Sequence, residues 1–124
     1  MNAFKGGQFS LILAAFSLSA EAQTSLDDMV ARGQELFHSD IGCRVCHNED
    51  GGGLVGPSLL FGPTPVDIFD QLESNPVMGV IVSEMAPSDD DLVSISMYIR
   101  TLAGLPLDMN LPEQWLSALN IVRA

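Results

Sequence analysis

The chain has 124 residues, a length that suits one domain, and carries a net formal charge of −11 from 16 acidic and 5 basic residues. That balance argues against nucleic acid and against direct docking on an anionic membrane. It serves solubility or steers a basic partner, and composition does not separate the two.

Lys5 precedes an apolar run from Phe9 to Ala20, and Ala20-Glu21-Ala22 is a small-residue cleavage pattern. Residues 1–22 therefore read as a secretory signal peptide, too short for a membrane span, with cleavage after Ala22. An uncleaved anchor is the alternative. The domain proper is then 23–124, exported across the inner membrane to the periplasm. Lys5 is the sole lysine, so the exported chain has only Arg32, Arg44, Arg100 and Arg123 as cations. No later stretch is apolar for long enough to cross a bilayer.

Ser25 is positioned to cap a helix running to about Phe37, with Asp27 and Asp28 at its positive end. Leu26, Met29, Val30, Gly33, Leu36 and Phe37 recur on one face. Gly33 costs about 1 kcal/mol inside a helix, and close approach of a second helix is one physical reason to keep it. His38 follows, and it reads as a surface or loop histidine.

Cys43-Arg44-Val45-Cys46-His47 is C-x-x-C-H, the attachment signature of a c-type haem. Two thiols at this spacing lie on one side of a helical turn, where both can form thioethers to the vinyl groups of one haem. His47 can then coordinate the iron, a common role for imidazole. Two other readings compete. A thioredoxin-like redox pair requires a βαβ context, and no strand pattern supplies one. A zinc site needs four ligands, usually in separated pairs, whereas His47 abuts Cys46 and His38 lies close upstream. A disulfide between Cys43 and Cys46 would close too short a loop to stabilise much.

Residues 48–56 form a glycine-rich loop without the Lys-Ser/Thr of a phosphate loop. Gly56-Pro57 marks a turn. Thr64 and Pro65 open a helix that Asn75-Pro76 stops, with Val66, Phe69 and Leu72 on its apolar face. Val77 to Val82 is a short helix or an extended segment; periodicity cannot decide. Ser88 caps a helix with Asp89, Asp90 and Asp91 in its first turn, Leu92, Ile95, Met97, Tyr98, Ile99 and Leu102 as apolar positions, and Gly104 at its end. Arg100 either favours the C-terminal end of that helix or reaches a haem propionate. In the extension 103–124, Asn110 and Pro112 start a further helix on which Leu111, Trp115, Leu119 and Val122 recur. That stripe packs on the core or docks a partner.

Taken in order, Gly33 to Phe37, Cys43 to His47, Gly56-Pro57-Ser58-Leu59, Met85-Ala86-Pro87 and the helix with Tyr98-Ile99-Arg100 resemble class I cytochrome c, over about residues 25–102. The resemblance implies an all-α fold of about four to five helices wrapped around one covalently bound haem c. It implies that the first helix and the Tyr98 helix cross at Gly33, with Phe37 near Tyr98. It also implies His47 as one iron ligand, its second ring nitrogen held by the Pro57 carbonyl, and Met85 as the other. Met78 competes with Met85, and Met29 and Met97 read as core filler. Ala86 departs from the commoner Met-Pro.

The expected function is single-electron transfer in the periplasm, not catalysis, with redox proteins as transient partners. Leu54 and Val55 are expected to lie near the haem edge. Two alternatives stay open: a dedicated electron-transfer subunit of a periplasmic dehydrogenase or oxidoreductase complex, and a haem enzyme or small-ligand sensor with an open sixth iron position.

Overall fold

The computed structural model describes residues 25–124, so the predicted signal peptide and its cleavage site lie outside the described residues. All regular elements among the described residues are helices: α1 (25–37), α2 (Arg44–His47), α3 (Pro65–Ser74), α4 (Val80–Glu84), α5 (Asp89–Leu102) and α6 (Leu111–Arg123). The chain is therefore all-α, with six helical segments, of which α2 and α4 are single turns or little more. None of these helices is long and apolar enough to cross a membrane.

Local chemistry sets the ends of the longer helices. Thr64 Oγ1 accepts from the Asp67 N–H, while Asp67 accepts from the Thr64 N–H. Ser88 and Asp91 form the same reciprocal pair at the start of α5. Each pair satisfies two backbone donors that the first helical turn leaves without partners. Beyond α5, Leu105 N–H donates to the Arg100 carbonyl and Gly104 N–H to that of Thr101, with Gly104 at φ 69°. This closes the helix on its own last carbonyls.

The fold is organised around α5. Leu92 through Ile99 are all buried, so this helix has no solvent-facing side over its central two turns. Leu92, Val93 and Met97 join Leu26, Leu72, Trp115 and Leu119 in one apolar cluster. Ile95, Tyr98 and Ile99 join Leu36 and Phe37 in a second. Helices α3 and α6 pack on α5 and on each other, which builds the first cluster. The apolar stripe of α6 thus faces the core through Pro112, Trp115 and Leu119. Val122 does not follow it inward, being 45% exposed near the end of the helix. Arg123 pins that end instead, 2.8 Å from Asp89 and stacked 4.5 Å over the Phe69 ring.

The second cluster depends on how closely α1 approaches α5. A side chain at Gly33 would run into the Ser94 carbonyl oxygen and come within 2.8 Å of Tyr98 Cβ. Only hydrogen in place of Cβ allows the helices to meet there. One turn further on, the Phe37 and Tyr98 rings meet edge to face at 5.4 Å.

The uncertain stretch from Val77 to Val82 resolves into turns followed by α4. No residue of α4 is fully buried, and Ile81 packs partly buried against the cluster of Trp115 and Leu119. Met85 caps α4, and only Ala86 and Pro87 separate it from the Ser88 cap of α5.

Candidate functional site

The turn that carries the cysteines is built against the end of α1. Gly42 N–H bonds the Ser39 carbonyl at 2.9 Å, and His47 N–H bonds that of Cys43 at 2.9 Å. Cys43 is the N-cap of α2 and Cys46 lies within it, both free and both partly buried, and His47 at its end is buried.

The loop after α2 doubles back over His47. Gly53 N–H donates to the His47 carbonyl at 2.9 Å, and Gly56 N–H to that of Cys46 at 2.6 Å. Further on, Leu59 N–H closes onto Gly51 O at 2.7 Å. A side chain at Gly56 would stand 2.8 Å from His47 Cε1, so the strand of loop lies directly on the imidazole. Pro57 then presents its carbonyl 2.7 Å from His47 Nδ1. A carbonyl only accepts, so this bond places the proton on Nδ1 and leaves the lone pair on Nε2. The outcome is a buried, oriented imidazole whose second nitrogen is not engaged by that bond.

Burial pushes the Cys43 thiol up to about 11, against a smaller opposing pull from a backbone hydrogen bond. This is the reverse of the lowered thiol pKa that activates disulfide oxidoreductases. Among the described residues there is no strand to supply a βαβ context, and no three His, Cys, Asp or Glu side chains converge as a metal-binding group. The redox-pair and zinc readings of the motif therefore gain nothing from the structure.

Met85 and Met78 go to different places. Met85 packs, together with Cys43, Leu59 and Ile68, against the cluster of Leu36, Phe37, Ile95, Tyr98 and Ile99. Met78 packs against the other cluster, with Trp115 and Leu119. Met97 is fully buried filler, as its helical position suggests. One soft donor thus shares an apolar cluster with a cysteine of the motif, and the other does not.

His38 is in a turn, but it is more than a surface group. Its Nε2 lies 2.7 Å from the Tyr98 hydroxyl, its ring stacks edge-on with Phe37 and Tyr98, and its carbonyl accepts from Arg44 Nε at 2.9 Å. Sequence reasoning missed this pairing, although the expected meeting of Phe37 with Tyr98 was the signal that brings residue 38 there. Arg100 Nε donates to the Pro106 carbonyl at 2.9 Å, closing the turn between α5 and the segment before α6.

Large apolar side chains stay exposed on the segments around these donors. Leu54 and Val55, at the tip of the loop, are 69% and 86% exposed; Val45, Phe61, Val77, Val80 and Val82 are exposed as well.

No family model, no curated protein and no solved structure matches this chain.

Proposed function

We propose that this chain is a monohaem class I c-type cytochrome, a periplasmic one-electron carrier rather than an enzyme. The observation that carries the reading is His47: a buried imidazole directly after a C-x-x-C pair, its Nδ1 held 2.7 Å from the Pro57 carbonyl oxygen and its Nε2 left with an electron pair to donate. The donor set fits haem c: two thiols, an imidazole and a thioether, with apolar side chains exposed on the segments that bear them.

When bound, haem c supplies a reversible Fe(III)/Fe(II) couple. The remaining work belongs to the chain. Cys43 and Cys46 would hold the group through thioethers, each S–H adding across a vinyl group, so that the carrier does not lose it between partners. His47 would ligate through Nε2. The Pro57 carbonyl and the Gly53 and Gly56 backbone bonds fix the ring and raise its basicity. Met85 would supply a further ligand, and it is favoured over Met78 because it shares its apolar cluster with Cys43. A thioether in that position raises the reduction potential. Arg32, Arg44 and Arg123 are engaged in ion pairs, so attraction to a partner comes from basic groups on that partner or from apolar contact through Leu54 and Val55.

The decisive experiment is expression in a host that matures c-type cytochromes. Haem should remain on the polypeptide through acid-acetone extraction and denaturing electrophoresis. Cys43→Ser with Cys46→Ser should abolish this. A haem-free, zinc-containing wild-type product would end the proposal.

A further inference from the structure

Ala86 is held in a conformation that its side chain opposes. Its φ is 47°, one of two positive values among the described residues other than glycine. It stands just past the end of α4, where its N–H is shared between the carbonyls of Val82 at 3.1 Å and Ile81 at 3.2 Å. This is the left-handed position that closes a helix and that glycine or asparagine usually fills. Alanine there is strained by contact of Cβ with its own carbonyl. The next residue, Pro87, has a ring-fixed φ and no N–H, and Ser88 is locked into the α5 cap. Ala86 is therefore the one soft joint between Met85 and α5.

What lies on each side of that joint differs. The Met85 side chain packs toward the cluster of Phe37, Tyr98 and Ile99 that Cys43 also touches. Ala86 and Pro87 instead wall a crevice of about 210 Å³ with Phe69, Leu72, Val82 and Leu92. Behind the joint is space rather than packed core. Before it, α4 has no fully buried residue and rests on the core through the partly buried Ile81. The strain at Ala86 is thus opposed by the two backbone bonds, the packing of Ile81, the capped start of α5 and the contacts of Met85 itself.

We infer that Ala86 is a positioning residue that weakens the hold of Met85 on the iron, so that the sixth position opens more readily than with glycine or asparagine at this joint. The inference rests on the His47/Met85 reading above. The strain is present when Met85 is in place and is released when the arm swings, so it acts directly on the equilibrium between the two. Left-handed strain on one alanine corresponds to a factor of about 5 to 30 in that equilibrium.

The test is displacement of Met85 by imidazole in the oxidised holoprotein, followed by loss of the weak red-edge absorption band of a thioether–iron bond. Ala86→Asn removes most of the strain without adding glycine's freedom. It should raise the half-saturating imidazole concentration about fivefold or more. Ala86→Gly should move the same way by less, because the freed arm of the variant gains backbone entropy. Ala86→Val, a β-branched residue in a left-handed position, should lower it. Titrations that are equal in all four proteins, or that run in the opposite order, overturn the inference while leaving Met85 as a ligand. A wild type that lacks the band and takes up carbon monoxide overturns the ligand reading itself, and with it this inference.

Discussion

Replacing Gly33 by alanine sets two effects of opposite sign against each other. Helix propensity alone favours alanine by about 1 kcal/mol. The structure argues the other way. The new Cβ would overlap the Ser94 carbonyl oxygen, lie 2.6 Å from Ser94 C and sit 2.8 Å from Tyr98 Cβ. Carbon atoms in contact prefer about 3.5–4.0 Å, so α1 and α5 must part by roughly 1 Å. The first atoms struck belong to the backbone and cannot rotate aside. Parting also loosens Phe37, Ile95 and Tyr98, which are buried at the same crossing. Overpacking of this kind costs about 1–3 kcal/mol, and a backbone clash belongs at the upper end. Subtracting the propensity gain leaves a net loss of about 2 kcal/mol. For a domain of this size that lowers Tm by roughly 10 °C. Thermal unfolding followed by far-ultraviolet circular dichroism measures it directly. A Tm that is unchanged or a few degrees higher would mean that propensity rules at position 33 and that the close crossing is wrong.

Other changes follow from single groups. Ser96 is fully buried with no hydrogen-bond partner for its hydroxyl among the described residues, so Ser96→Ala should raise stability by about 1 kcal/mol in urea unfolding; a loss would reveal a partner. Trp115→Ala should cost about 3 kcal/mol or more, since Trp115 belongs to the core rather than to a docking face. In holoprotein, Met85→Ala should abolish the red-edge band and admit carbon monoxide, whereas Met78→Ala should lower stability and keep the band. Before haem attachment, the Cys43 thiol, raised to about 11 by burial, should alkylate slowly until the pH approaches that value. Its folded pKa lies above its unfolded one, so its contribution to stability is complete below pH 9.0 and lost as pH rises toward about 11. An alkaline unfolding titration of Cys43→Ala, flatter than that of the haem-free wild type, is the expected result.

The sequence by itself determined whatever depends on neighbours within a few positions. Thr64 with Asp67, Ser88 with Asp91, and Gly104 are capping signals whose donors and acceptors lie within one helical turn, so α3 and α5 begin and end where those residues stand. The C-x-x-C-H spacing belongs to the same class. Gly33 was legible as a crossing point because glycine inside a helix requires a reason, and the resemblance supplied the partner helix. Contacts far apart in sequence were not legible in this way. The resemblance picks Met85 over Met78 by its place beside Pro87 and before α5, but that each packs against a different cluster around α5 is decided only by the tertiary structure. His38 reads as an ordinary loop histidine until α1 and α5 cross and bring the Tyr98 hydroxyl to it. The apolar stripe of α6 suits core or partner equally, and α3 and α5 decide by lying under it. Ala86 carries no signal for a left-handed turn, since alanine favours the opposite. Its conformation is imposed from both sides, by the closing bonds of α4 and by the capped start of α5.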